Sequence, residues 1–550
     1  MTQASSDTLL RPGETCWRIE RADRVALIVD AADYFIHLRQ ALIAAKETIY
    51  LIGWDFDLRI ETVPGESDEE GNAPDGWPNE LGPFLEAVVE RNGGVDMHVL
   101  KWDGAMIAEI AQQAFETISL KMSSDRIHFA LDSHHPVGAC HHQKIVVVDD
   151  RLAFCGGIDV TTGRWDTREH KPDDERRINP GGDIHQCWHD VTTALEGPVA
   201  KALGDLARMR WKAANGEELE APDVTGTPWP ERLEADLRDV DLGIARTAPR
   251  YHGDPLVNEI EELYLAMIRG AKDWIYIENQ YLAATTICEA LEERLREPNG
   301  PEIVMLNPQQ SQSWLEDRAM NSIRSRMIER LDAAAAEGGG RFTLLYPANA
   351  AGNAIYVHAK VMVMDGRALK IGSSNIDNRS MGFDTECDVA LEASSDEERQ
   401  AIRAFTLSLL AEHLGTEPET VAEVWEREGS LTDAIHALNA QEGRGLRPIE
   451  ALPLTAFEKT LADTRIFDPR TWPRNRPHPK DAVKHGAKRA ASPYQFEAAG
   501  VGTVVVTAGA VALAAWAGLS LWQRYRASRR SDLAAPAIVT RGRYRPPVRR

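Results

Sequence analysis

His142-Gln-Lys144-Ile-Val-Val-Val-Asp149 returns 216 residues later as His358-Ala-Lys360-Val-Met-Val-Met-Asp365. After six further residues each octet is followed by a second short element, Gly156-Gly-Ile-Asp159 in the first copy and Gly372-Ser373-Ser-Asn375 in the second. In an extended strand residues i and i+2 share a face, so His142 projects with Lys144 and His358 with Lys360, while the apolar run buries the rest of the strand. A glycine pair lets a backbone turn approach a bound group closely, and its N–H groups are suited to oxyanions. A single H-x-K is commonly no more than a half-exposed polar pair. Its recurrence at identical spacing makes a site of it. Two imidazoles and two ammonium groups facing one another form a pocket for a phosphodiester. The lysines neutralise the oxygens, one imidazole attacks phosphorus and the other protonates the leaving oxygen. His141 points to the opposite strand face and reads as structural.

Outward from the octets the duplication continues. Ala45-Lys-Glu-Thr-Ile-Tyr-Leu-Ile-Gly-Trp-Asp-Phe56 reads against Ala271-Lys-Asp-Trp-Ile-Tyr-Ile-Glu-Asn-Gln-Tyr-Leu282, each after an amphipathic helical stretch. Residues 85–100 read against 291–306 as helix, Gly turn and strand, and Arg126-Ile-His-Phe129 against Arg341-Phe-Thr-Leu344 as a third strand. An acidic loop near Glu61–Glu80 lengthens the first copy. Buried strands alternating with helices imply an α/β fold: two duplicated units, each a parallel or mixed sheet flanked by helices, packed face to face about a pseudo-twofold axis. The boundaries expected are 1–235 for the first half, 236–415 for the second, 416–467 for a small helical appendage and 468–497 for a basic, Pro-rich linker.

The chain has 550 residues, 43% apolar and 27% charged, which excludes a disordered or collagen-like protein. None of its six cysteines forms a CxxC pair or a Cys/His cluster at zinc spacing, so no disulfide framework or zinc site is expected. The net charge of −23 hides an asymmetry: residues 470–550 carry 16 Lys/Arg and 3 Asp/Glu, a net of +13, leaving −36 on the rest. So acidic a body repels phosphate backbones and argues against a nucleic-acid binder, whereas the basic tail suits an anionic membrane surface. Ala498–Trp522 holds no charge. Those 25 residues, at about 1.5 Å each, exceed the ~30 Å bilayer core. Arg524, Arg526, Arg529 and Arg530 follow, with Trp516 and Trp522 at anchor positions, so a transmembrane helix over 498–522 and a basic tail over 523–550 are expected. Basic residues before the span leave its orientation open. The N-terminal stretch has neither a basic n-region nor an apolar h-region, and the catalytic body is expected on the cytoplasmic side, export by a route without a recognisable signal being the alternative.

The two octets resemble the HKD signature of the phospholipase D superfamily. The flanking text, Gly156-Gly-Ile-Asp-Val-Thr-Thr-Gly-Arg164-Trp165-Asp166, Trp188-His-Asp190-Val191, Ile275-Tyr-Ile-Glu-Asn-Gln-Tyr281 and Gly372-Ser-Ser-Asn-Ile-Asp-Asn-Arg-Ser380, is similar to phospholipase D enzymes of eukaryotic type. The resemblance covers residues 15–415, and no stretch reads as a PX, PH or C2 lipid-binding module. It implies a covalent phosphohistidine, with His142 as nucleophile and His358 as the general acid that later deprotonates water. It also implies Lys144, Lys360 and Asn375 on the phosphoryl oxygens, beside Ser373. Asp159 stands at the position matching Asn375, where other branches carry Asn. Asp149 and Asp365 complete the motif among the catalytic candidates, although strand geometry puts them outside the pocket as loop anchors. Glu386 matches the carboxylate that holds a catalytic imidazole, which fixes its tautomer and raises its basicity. In the first half Asp190 is the candidate for that duty, with core packing as the alternative. Trp165 either offers an aromatic face to a quaternary ammonium head group or packs its loop.

The activity expected is hydrolysis of phosphatidylcholine or a related glycerophospholipid to phosphatidate and alcohol, with transphosphatidylation as a side reaction. A phosphatidyltransferase of the cardiolipin synthase kind is the alternative, followed by an HKD nuclease, which the acidic body disfavours. The partners expected are a phospholipid membrane and water or small alcohols, with no nucleic acid, for a chain acting as a monomer. No metal or cofactor is expected, since four basic side chains supply the charge.

Overall fold

The two halves of the chain build the same sheet twice. In the computed structural model the first half contributes β1 (Arg18–Val29), β2 (Thr48–Gly53), β3 (Asp96–Trp102), β4 (Ile127–Asp132), β5 (Ile145–Val148), β6 (Leu152–Gly156), β7 (Trp188–His189) and β8 (Val191–Glu196). The second contributes β9 (Leu237–Ala248), β10 (Val257–Asn258), β11 (Trp274–Glu278), β12 (Glu302–Leu306), β13 (Phe342–Ala348), β14 (Tyr356–Val357), β15 (Val361–Met364), β16 (Ala368–Gly372) and β17 (Glu386–Glu392). The structure describes residues 8–104, 124–311, 314–440, 442–455 and 468–470, all within one unit of the chain, Met1–Arg476.

Read from the shared edge outward, the first half runs β1-β8-β6-β5-β2-β3-β4 and the second β9-β17-β16-β15-β11-β12-β13. The orders are equivalent strand for strand. In each, three strands are parallel (β2-β3-β4, β11-β12-β13) and the rest antiparallel, so the sheet is mixed. The long strands β1 and β9 pair antiparallel and make the two sheets continuous. The inner faces then fold onto each other: one buried core holds Ile145, Val147 and Cys155 of the first half with Val361, Ile371 and Cys387 of the second. The Cys155 and Cys387 sulfurs lie 3.9 Å apart as free thiols.

Helices pack on both sides of the sheet: those at 31–43, 81–91, 259–270, 285–296 and 314–338 cover the outer faces, while those at 198–215 and 396–414 bury their side chains in the core shared by the two halves. α1 (Ala31–Ile43) buries Tyr34, Phe35, Leu38, Ala41 and Leu42, the spacing of one helical face, and α2 (Leu81–Arg91) and α3 (Pro198–Asn215) complete the first half. α4 (Glu259–Gly270), α5 (Thr285–Arg296), α6 (Trp314–Gly338) and α7 (Asp396–Leu414) belong to the second. The acidic loop that lengthens the first copy is pinned by the buried Arg39, whose guanidinium donates to Asp75 at 2.7 Å and to Thr62 Oγ1 at 2.7 Å.

The stretch read as a helical appendage departs from that reading. After α8 (Pro418–Glu428) and α9 (Leu431–Leu438) it contributes β18 (Gly445–Pro448), which pairs antiparallel with β13 and extends the sheet. Asp468, at the expected start of the linker, is buried and accepts hydrogen bonds from Asn378 Nδ2 (2.6 Å) and Arg379 N (3.0 Å). Among the described residues no helix is long and apolar enough to cross a membrane; the expected span Ala498–Trp522 lies outside them.

Candidate active site

The motif histidines stand just before their strands rather than in them, and each lead-in segment is hydrogen-bonded to the other half of the chain. His142 N donates to Thr385 O (2.8 Å) and Thr385 N to Cys140 O (2.9 Å), a parallel bridge in front of β17. In the second half β14 pairs parallel with β7, and His358 N donates to His189 O (2.8 Å). One residue beyond each of these contacts comes an acid. Glu386 follows Thr385 and Asp190 follows His189, so each acid meets the imidazole of the opposite half.

His358 Nδ1 lies 2.7 Å from Asp190 Oδ2. His142 Nδ1 lies 3.1 Å from Glu386 Oε2 and 3.0 Å from the Ser373 carbonyl. Engagement of both Nδ1 atoms leaves the two Nε2 atoms for chemistry. The ring centroids are 6.4 Å apart. Glu386 is itself fixed by the hydroxyls of Ser373 (2.5 Å) and Ser380 (2.7 Å). Burial holds both imidazoles well below the usual histidine value, with the Lys144 and Lys360 cations adding to it. Burial also pushes Asp190 up to about 6 and Glu386 up to about 8.

The two lysines are not equivalent. Lys144 Nζ pairs with Asp159 Oδ2 at 2.8 Å and donates to the His142 carbonyl. Asp159 therefore neutralises a cation, and it accepts from Trp54 N as well (3.2 Å), which corrects its reading as a substrate-binding residue. Lys360 donates to the His358 carbonyl and to Gln280 Oε1 (3.4 Å), and among the described residues no carboxylate lies at ion-pair distance from it. Burial pushes Lys360 down to about 7. Asn375 is buried with its N–H on Ser380 Oγ, and its side-chain oxygen has no hydrogen-bond partner. Ser373 is committed to Glu386 rather than open to substrate.

Three further readings narrow to one alternative each. Asp149 accepts from the backbone N–H groups of Lys46, Glu47 and Thr48 at 2.8–2.9 Å, and Asp365 does the same for Lys272, Asp273 and Trp274. Both are loop anchors at the far end of their strands, not catalytic groups. The glycine pairs make no oxyanion cradle, since Gly157 N donates to Val191 O and Gly372 N to Lys360 O. A Cβ on Gly157 would stand 2.1 Å from Asp190 Oδ1, so this glycine makes room for the acid that holds His358. Trp165 is 8% exposed and packs in the first-half core, with the Arg176 guanidinium 4.9 Å from its ring; it belongs to the loop, not the rim.

The aromatic residue at the site is Trp188. Its ring stacks on Tyr356 at 4.6 Å and lies 5.0 Å from His358, with the Arg164 guanidinium 4.3 Å over its centroid. Alternation could have found these residues, because Tyr356 precedes His358 by two and Trp188 precedes Asp190 by two. His141 is buried between Asp132 (3.1 Å) and Thr385 Oγ1 (3.0 Å).

Residues 41–228 match the family model described as Phospholipase D, and residues 264–406 the model described as Cardiolipin synthase, PLD-like domain. Together they span both copies of the motif. The chain belongs to the phospholipase D superfamily. It is 26% identical over 521 residues to phospholipase D alpha 1 of Brassica oleracea var. capitata, with 69% of this chain and 63% of the relative covered. For phospholipase D alpha 1 of Arabidopsis thaliana the identity is 24% over 520 residues, with the same coverage. The chain thus spans about 63% of the length of these curated relatives. Among solved structures, phosphatidylserine synthase of Haemophilus influenzae Rd KW20 superposes with a TM-score of 0.48 at 12% identity, over 76% of this chain and 97% of that one.

Proposed function

We propose that this chain is a phospholipase D, which hydrolyses the distal phosphodiester of a glycerophospholipid to phosphatidate and a free alcohol. The observation that carries the reading is the pair of imidazoles 6.4 Å apart, each oriented through Nδ1 by an acid of the opposite half. That gap suits one phosphoryl group with a reacting nitrogen about 3 Å away on either side.

In the first step His142 Nε2 attacks phosphorus, the bond from phosphorus to the head-group oxygen breaks, and His358 Nε2–H protonates that oxygen. In the second, His358 takes a proton from water, the water oxygen attacks phosphorus, and the phosphorus–nitrogen bond to His142 breaks. The orienting acids support this division of labour. Burial holds both imidazoles low in the free site, so His358 takes up its proton as the anionic phosphodiester enters. Asp190, pushed up to about 6 and ionised at neutral pH, favours that imidazolium, while Glu386, pushed up to about 8, keeps a proton and favours neutral imidazole at His142. Lys360, without a carboxylate partner, is the cation free to meet a phosphoryl oxygen, and Lys144 assists from its pair with Asp159.

A second reading draws on the cardiolipin synthase description matched by residues 264–406: an alcohol replaces water in the second step, and the product is a new phosphatidyl ester. Phosphatidylcholine is the substrate proposed, with Trp188 and Tyr356 as the aromatic surface nearest the chemistry. The expected C-terminal helix would hold a monomer at a membrane, the catalytic body on the cytoplasmic side. The experiment that decides is purified protein with mixed phospholipids, water and ethanol, with products identified by mass. Phosphatidate with some phosphatidylethanol supports hydrolysis; phosphatidyl esters without phosphatidate select the transferase; no lipid product overturns both.

A further inference from the structure

Beneath Asp190 lies a second cluster that this chemistry does not use. Asp30 at the end of β1, His170 in the loop between β6 and β7, His189 in β7 and Glu412 in α7 converge, all buried, with one donor atom of each within 4.8 Å of every other. His170 Nε2 is 3.1 Å from Glu412 Oε1 and 3.6 Å from Asp30 Oδ2. His189 Nδ1 is 2.8 Å from the same Glu412 oxygen and 3.3 Å from Asp30 Oδ1. Asp30 Oδ2 has no hydrogen-bond partner, although Asp30 and His189 are each at most 1% exposed.

The outward-facing atoms of the same side chains are each engaged. His170 Nδ1 lies 2.9 Å from Asp166 Oδ2, and Asp166 is held by Arg177 and by Trp188 N. His189 Nε2 lies 2.8 Å from Glu278 Oε2, and Glu412 Oε2 accepts from Arg168 Nε at 2.6 Å. Each imidazole thus turns one nitrogen inward and gives the other to a carboxylate, the arrangement that fixes the tautomer of a metal-binding histidine. Tetrahedral ligands about 2.0–2.1 Å from an ion stand about 3.3 Å from one another. The four contacts, two of them to different Asp30 oxygens, run from 2.8 to 3.6 Å, and one atom of each residue lies within 4.8 Å of the others, a spread that small side-chain shifts around an ion would close. Two ligand carboxylates would balance the charge of one dication.

We propose that Asp30, His170, His189 and Glu412 form a closed structural site for a divalent transition ion of the zinc class. Two imidazoles and two carboxylates in a tetrahedral set suit zinc better than calcium or magnesium, which take more oxygen ligands. Four protein ligands leave no open position for substrate. The ion would clamp the first half to α7 of the second. It would also steady the acid behind His358, because Asp30 N donates to Asp190 O (2.8 Å) and Asp30 Oδ1 accepts from Asp190 N (3.1 Å). The site stands whether or not the activity proposed above is correct. It goes beyond the expectation of no metal at the catalytic pocket: the ligands lie far apart in sequence and only the fold assembles them.

The test uses tag-free full-length protein from zinc-supplemented cells, passed through metal-free buffer and assayed for metals by mass spectrometry. One zinc per chain is expected, with a fall in melting temperature after stripping by a strong chelator and recovery on adding zinc but not calcium. Glu412→Gln and His170→Asn should each lose the zinc. Metal-free wild type whose melting temperature zinc does not move would overturn the proposal and leave a network held by protonated histidines. Full zinc content in both variants would overturn it as well, by placing the ion elsewhere.

Discussion

Asp190→Asn keeps the shape of the group behind His358 and removes its charge. Asp190 Oδ2 lies 2.7 Å from His358 Nδ1, and both side chains are buried. For charge centres about 4 Å apart at an effective dielectric of about 20, the carboxylate favours imidazolium over imidazole by about 4 kcal/mol. An amide oxygen can still accept the Nδ1–H bond, so the ring stays in place while protonated His358 becomes scarce. That amounts to a loss of roughly two to three powers of ten in kcat, with KM little changed. The assay is hydrolysis of a soluble short-chain phosphatidylcholine, beside a thermal melt. Since Asp190 is pushed up to about 6, the wild type itself loses this charge as pH falls through that value. The ratio of wild type to variant should therefore be large at neutral pH and shrink below about 6. A variant with wild-type kcat at neutral pH and an unchanged melting temperature would refute the reasoning, as would a rate ratio independent of pH.

His142→Ala and His358→Ala should each abolish turnover, and a quenched wild-type reaction should trap phosphate on His142; label on His358 would reverse the assigned roles. Asp149→Ala and Asp365→Ala remove a carboxylate that accepts three backbone N–H groups, so each should cost roughly 2–4 kcal/mol of stability in chemical denaturation and leave kcat per folded molecule intact. Lys360 is pushed down to about 7 and loses its charge as pH rises through that value, so kcat/KM should fall on the alkaline side. In Lys360→Arg, whose guanidinium stays charged, that alkaline limb should shift upward in a pH–rate profile even if the maximum is lower. Full-length protein should stay with membranes through high-salt and carbonate washes, and truncation before Ala498 should release a soluble enzyme active on detergent-dispersed lipid. Release by salt alone would argue against the span.

The duplication was the most legible feature, because strands equivalent in sequence carry equivalent neighbours: β2-β3-β4 and β11-β12-β13 follow the same order on both sides of the β1–β9 seam. His142, Lys144, His358 and Lys360 are readable for the same reason, whereas Glu386 comes from the family resemblance and Asp190 stands beside core packing as an open alternative. Which acid serves which ring was not readable. That depends on lead-in segments pairing across the halves, Cys140–His142 with Thr385 and Tyr356–His358 with His189, a register set only in three dimensions. Trp165 and Trp188 show the limit of composition. Both lie near the first motif, yet one is captured by its loop and Arg176 while the other, in phase with Asp190, reaches the imidazole. Asp159 sits where its repeat partner is Asn375, and only its contact with Lys144 shows that a position equivalent in the chain has a different electrostatic task.

The exchange of orienting acids makes catalysis a report on assembly. A half folded alone would present an imidazole with no acid behind it, whichever half it was. A chain with a single copy of the motif would have to find its second acid on another molecule, so function in an undivided ancestor would have required a symmetric dimer. Fusion of the copies turns that encounter into an intramolecular one. It also means that loosening of the β1–β9 seam would extinguish both steps of the reaction together, before either half had lost its own fold.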